Sequence, residues 1–187
     1  MVARFITRKC EEKLYLYKHK KKIMGLTTLG IFHTAISLVA VATGAVALIR
    51  DKKISWTNTV GKIYVIATIV TCVTGFGIFQ HGGFGKPHVL GIITLLVMIL
   101  ALTAGKNSKP LGRLSPYIET VAYSMTFFFH LVPGITETAT RLPVDAPLAS
   151  GTDDPHIQMA VGVTFLLFLI GVIWQVGKLR TLLRKEL

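Results

Sequence analysis

Long apolar runs, separated by short charged or Gly/Pro-bearing stretches, constrain this 187-residue chain more than any other feature of it. A run of about 20 apolar residues crosses roughly 30 Å of hydrocarbon at about 1.5 Å per residue. Five such runs can be read, over residues 23–49, 59–79, 87–104, 116–136 and 155–176. The chain is 51% hydrophobic and 16% charged, with a mean hydropathy of +0.58, and a soluble domain of this length has too little interior for that much apolar surface. The expected fold class is therefore all-α, an integral membrane bundle of five transmembrane helices over residues 23–177. A basic N-terminal tail, 1–22, and a basic C-terminal tail, 178–187, flank it, and the expected location is a multi-pass position in a cell membrane.

The punctuation between runs supports this division. Arg50-Asp51-Lys52-Lys53 ends the first run, because clustered charge does not remain in hydrocarbon. His81-Gly82-Gly83-Phe84-Gly85 reads as a flexible turn, and Pro87 suits the first turn of the third helix, where a missing N–H costs nothing. Ser115-Pro116 and Asp154-Pro155 each pair an N-cap residue with a first-turn proline. Residues 137–155, rich in Pro, Gly and acidic side chains, form the one long loop. The run after the N-terminal tail is too long for a signal-peptide core and lacks a small-residue cleavage site, so no cleaved leader is expected. The tail itself has the makings of an interfacial helix.

A net charge of +12 suggests nucleic acid in a soluble protein. Here Lys and Arg sit in tails and loops between apolar runs, so the expected partners are anionic lipid headgroups and not nucleic acid. The two cysteines, Cys10 in the tail and Cys72 inside the second run, imply neither a disulfide framework nor a CxxC site.

Five alternating spans put the N-terminal tail, residues 80–87 and residues 137–155 on one face, and residues 50–58, 105–115 and the C-terminus on the other. All six histidines then fall in the half nearer the N-terminal tail: His19, His33, His81, His88, His130 and His156. Taking span midpoints near residues 36 and 127, His33 and His130 each lie about 5 Å from the midplane, displaced toward that same face. On the first helix His33, Ser37, Ala40, Gly44 and Ala47 repeat at helical spacing and form a narrow stripe of small residues, against which another helix can pack closely. On the fourth, Glu119, Tyr123, Thr126, His130, Pro133 and Glu137 keep the same rhythm. Both imidazoles are expected to point into the bundle, with the first and fourth helices adjacent.

Ionisable groups at that depth are functional candidates by default. Two facing neutral imidazoles can clamp haem b or hold a transition metal (Zn, Cu or Fe), with Ser37, Tyr123 and Thr126 lining the site. A hydrogen bond from a neutral histidine to Tyr123 or to a threonine is the structural alternative, and a quinone, lipid or proton pocket is a third. His81, His88 and His156, with Asp153 or Asp154, suggest a second metal site near the surface, although their spacing matches no short metal motif. Glu119 is expected to pair with Lys109 or Arg113, Glu137 with Arg141, and Asp154 to cap the last helix. No Ser/His/Asp order, HExxH or paired-carboxylate pattern is present, so an enzyme is not the expected reading.

His33 through Gly44, the basic loop and Val60-Gly61-Lys62-Ile63-Tyr64-Val65 resemble the opening of bacterial membrane proteins of the domain-of-unknown-function 2306 family. Glu119 to Asp154, with Pro133-Gly134-Ile135-Thr136-Glu137-Thr138 and Arg141-Leu142-Pro143, is similar to members of that family too. The resemblance covers residues 27–175 and implies a multi-span fold without an established activity. Where the family's first loop is often led by a further histidine, this chain has Trp56-Thr57-Asn58.

Charge gives two answers about orientation. More Lys and Arg flank the spans on the C-terminal face than on the N-terminal one, but the Lys20-Lys21-Lys22 run resists translocation. The acidic Pro/Gly loop tips the expectation toward an extracytoplasmic N-terminal face. Three functional readings follow: a His-lined intramembrane site for haem or a metal in electron transfer, a non-catalytic subunit or homo-oligomer within a membrane complex, and a quinone-binding, lipid-binding or transport protein.

Overall fold

A computed structural model describes residues 27–79, 83–106, 111–143 and 145–185. Among them every regular element is helical: α1 (Thr28–Arg50), α2 (Thr59–Gly75), α3 (Lys86–Gly105), a 3₁₀ turn (Gly112–Leu114), α4 (Ser115–Arg141) and α5 (Pro155–Lys185). Three of these, α1, α3 and α5, are long and apolar enough to cross a membrane. α2 is apolar but has 17 residues, and α4 has 27 but carries more polar side chains. The N-terminal tail, with His19 and Cys10, lies outside the described residues, as does His81.

The caps explain where each helix begins. Thr27 starts α1 by accepting the Gly30 N–H at 3.1 Å, and Asn58 starts α2 by accepting that of Gly61 at 2.8 Å. Pro87 stands in the first turn of α3, as its fixed φ predicts. Asp154 caps α5 as expected: its Oδ1 accepts the His156 N–H at 2.9 Å, and its backbone carbonyl accepts that of Gln158 at 3.1 Å. Ser115 departs from expectation. The 3₁₀ turn runs directly into α4, so Ser115 is already helical, and its hydroxyl donates to the Ala104 carbonyl at the end of α3.

Two helix ends also differ from the reading of the sequence. α4 continues through Pro133 to Arg141, where a Glu137–Arg141 ion pair closes its last turn, so the long loop starts later than residue 137. α5 carries the basic tail as helix to Lys185.

Consecutive helices pack side by side, α4 also touches α1, and among the described helices α5 packs against α4 only, with Gln175 reaching the first loop as well. The stripe on α1 works as its small residues suggest. Ala40, Gly44 and Ala47 are buried, and a Cβ added to Gly44 would stand 2.6 Å from the Phe127 ring and 2.9 Å from that of Tyr64. A side chain there would push α2 and α4 away. The polarity of the fold is inverted relative to a soluble domain. Phe32, Leu38 and Ile49 on α1 and Leu166, Ile170 and Ile173 on α5 face outward, while Thr68, Thr126, Ser124 and His130 are buried.

Candidate functional site

The inner faces of α1, α2 and α4 share a seam of hydroxyl and imidazole groups. α2 supplies Tyr64, Thr68, Thr71 and Thr74, which its helical period brings to one side. Tyr64 and Thr126 bond through their hydroxyls at 2.8 Å, and Thr126 also donates to the Tyr123 carbonyl at 2.8 Å. Since a threonine has one proton to give, Tyr64 is the donor in the pair. Thr68 meets His130 Nε2 at 3.0 Å, and the Tyr64 ring stands edge-on to that imidazole.

His33 is received higher on α2. Its Nδ1 lies 3.1 Å from Thr74 Oγ1. The Thr74 hydroxyl already gives its proton to the Val70 carbonyl at 2.8 Å, which makes His33 Nδ1 the donor and leaves the lone pair on Nε2. Both deep histidines therefore turn inward, but each bonds a threonine of α2. Those threonines are six residues apart, about 9 Å along the helix. The matched depth expected of His33 and His130 is corrected: α1 starts at its Thr27 cap and α4 runs on to Arg141, which shifts both midpoints. The two imidazoles thus hold different threonines, although His33 still acts electrostatically on His130.

Carboxylates stand at both ends of the seam. Glu119 lies against Gly105 at the end of α3, has Ser55 as hydrogen-bond partner and feels the charge of Lys53. This replaces the expected partner Arg113, and Lys109 lies outside the described residues. At the other end Glu137, paired with Arg141, acts electrostatically on His33. The two carboxylates are eighteen residues apart on α4, about 27 Å. Between them two buried hydroxyls have no hydrogen-bond partner, Tyr123 Oη and Thr71 Oγ1.

The remaining candidates are engaged locally. Ser37 donates to the Thr34 carbonyl on its own helix and takes no part in the seam. His88 is buried between the rings of Phe79 and Phe84, each 5.1 Å away, and its Nδ1 accepts the Gly85 N–H. His156 is exposed and bonds Asp154, while Asp153 pairs with Lys86. Backbone and side-chain bonds from Ser150 and His156 hold the Asp154 carboxyl well below the usual carboxylate range. Among the described residues no three of His, Cys, Asp and Glu come together as a metal group. His88 and His156 therefore do not come together with Asp153 and Asp154 as one cluster, and the buried His88 Nε2 has no hydrogen-bond partner.

Sequence reasoning missed Tyr64, Thr68, Thr71 and Thr74. Their signal was available in the helical spacing of hydroxyl residues along an otherwise apolar run. A separate groove of about 340 Å³ between α3 and α4, lined by Val97, Leu100, Tyr117 and Met125 among others, is almost wholly apolar and lies away from this chemistry.

Comparison with known proteins gives no match: no family model, no curated protein and no solved structure.

Proposed function

We propose that the chain is a five-span integral membrane protein that passes a small polar solute or ion through the interior of α1, α2 and α4. One observation carries this reading: a polar seam, buried in its middle from Tyr123 to Thr71 and partly open toward its ends, runs along three helices between two carboxylates about 27 Å apart, close to the thickness of a bilayer's hydrocarbon core. Polar groups inside a membrane are costly and mark substrate or ion paths. α2 spans with the help of its apolar extension to Phe79, and α4 spans because its polar side faces the seam while α3 and α5 cover other sides. The N-terminal face lies outside, and labelling of single cysteines placed at Trp56 and Ser150 tests that orientation from either side of sealed vesicles.

A second reading has its own support. α5 buries Ile157 alone among its residues, so its flank is open to lipid or to another subunit of a membrane complex.

Proteoliposomes challenged with small polar solutes and monovalent ions test transport directly. A flux above that of empty vesicles supports it, and none across the series refutes it. A Soret band or stoichiometric metal in the same preparation would instead assign His33 and His130 as ligands. Copurification with stable partners and no flux would favour the subunit reading.

A further inference from the structure

We infer that the species carried by this seam is the proton, moved along hydroxyls and imidazoles between Glu119 at one end and Glu137 at the other. This inference rests on the transport reading above and narrows it to one ion.

The argument begins with connectivity. From Glu119 the path reaches Tyr123 one helical turn on, then Thr126, Tyr64, Thr68 and His130. Thr71 stands one turn further along α2, followed by the His33–Thr74 pair and Glu137. The series has two breaks, between Glu119 and Thr126 and between His130 and His33. The two buried hydroxyls without partners, Tyr123 Oη and Thr71 Oγ1, fall at those breaks. A buried hydroxyl with no partner costs free energy, and here each stands between one bonded stretch of the path and the next.

The side chains along the path can relay a proton, with Thr126 and Thr74 turning their hydroxyls away from the Tyr123 and Val70 carbonyls as each step passes. A hydroxyl accepts a proton on its oxygen as it hands its own to the next acceptor. An imidazole takes a proton on one nitrogen and releases one from the other. His33, with Nδ1–H held by Thr74 and the lone pair on Nε2, is set for that exchange. No electron moves and no atom is consumed. A metal cation finds much less here: the groups along the middle of the path are hydroxyls engaged with one another, and no cluster of three ligating side chains is present among the described residues. The other titratable or charged groups facing the path are Lys53 at the Glu119 end, Cys72 beside Tyr64, and Arg141 paired with Glu137.

The test uses the full chain in liposomes of neutral lipid with an internal pH dye, driven by a valinomycin-set potassium potential. Protein-dependent acidification is expected, without sodium flux under an equal gradient. Tyr123→Phe and Thr71→Val are the diagnostic variants. Each removes a hydroxyl that bonds nothing in the fold, so neither should lower thermal stability, yet each should cut the proton flux at least tenfold. His130→Phe should abolish it. Vesicles that pass another solute but no protons overturn this inference and leave the transport reading intact, whereas vesicles that pass nothing overturn both. Proton flux unchanged in Tyr123→Phe and Thr71→Val also overturns the assigned path.

Discussion

Tyr64 and Tyr123 offer a controlled comparison, because both are fully buried in the same core and only one uses its hydroxyl. Tyr64 Oη donates to Thr126 at 2.8 Å, while Tyr123 Oη has no partner. In Tyr64→Phe the lost bond leaves the second lone pair of Thr126 Oγ1 unused. Hydrogen bonds between membrane helices are worth about 0.6 kcal/mol on average and up to about 1.7. A cost of about 1 kcal/mol is therefore expected for Tyr64→Phe. Tyr123→Phe removes a desolvated, unpaired hydroxyl whose burial was unfavourable by about 1 kcal/mol or more, so it should leave stability unchanged or raise it. The two variants should differ by about 1 to 2 kcal/mol with opposite tendencies. Reversible unfolding of the purified protein in mixed micelles of mild detergent and dodecyl sulfate, followed by circular dichroism, measures that difference. Equal losses in the two variants, or a greater loss in Tyr123→Phe, would refute the assignment of partners on which the seam depends.

Other positions give further outcomes. Gly44→Ala should destabilise by about 1 to 3 kcal/mol through overpacking, since its new methyl group meets the rings of Phe127 and Tyr64 inside normal contact, and the same unfolding assay reads it. At Gly61 a Cβ would stand 1.8 Å from the Ser55 carbonyl oxygen, which is backbone and cannot swing aside. Gly61→Ala should therefore displace the first loop and expose the now-buried Ile54, with faster proteolysis between residues 51 and 58 as the readout. The Asp154 cap should be pH-dependent. Its folded carboxyl is held low by Ser150 and His156, so its stabilising effect is present above the unfolded carboxylate range near 4 and is lost as pH falls through the lowered folded value. Amide exchange at Ser150 and His156 should rise only under strong acid, and Asp154→Asn should remove that dependence.

Much of the scaffold was legible because lipid imposes a simple rule on sequence, and five apolar runs became five helices at nearly the positions expected. Proline and cap signals fixed the starts of α3 and α5 well. They misled at Ser115, whose hydroxyl serves the preceding helix, and the expected end of α4 near residue 136 fell short of Arg141, where the Glu137–Arg141 pair sits on a further helical turn. The inward aim of His33 and His130 was legible from the company each keeps on its helix. Their common receiving helix was not, because Thr68 and Thr74 look like ordinary members of an apolar run until neighbouring helices give them partners. Relative height also escaped the sequence: a few residues' error at a helix end becomes several ångströms along its axis.

Gln175 adds a mechanical consequence. From α5 its side chain bonds Ser124 on α4 at 2.8 Å through its oxygen and the Lys52 carbonyl of the first loop at 2.8 Å through its nitrogen. Hydrocarbon contact alone gives α5 little reason to prefer α4 over surrounding acyl chains, so this amide, together with the packing of Phe128 on Phe165 and Phe168, helps set the azimuth of a 31-residue rod. Swapping Gln175 for leucine would cut the rod's tie to the first loop and leave the Phe128 ring packing as its main hold on α4.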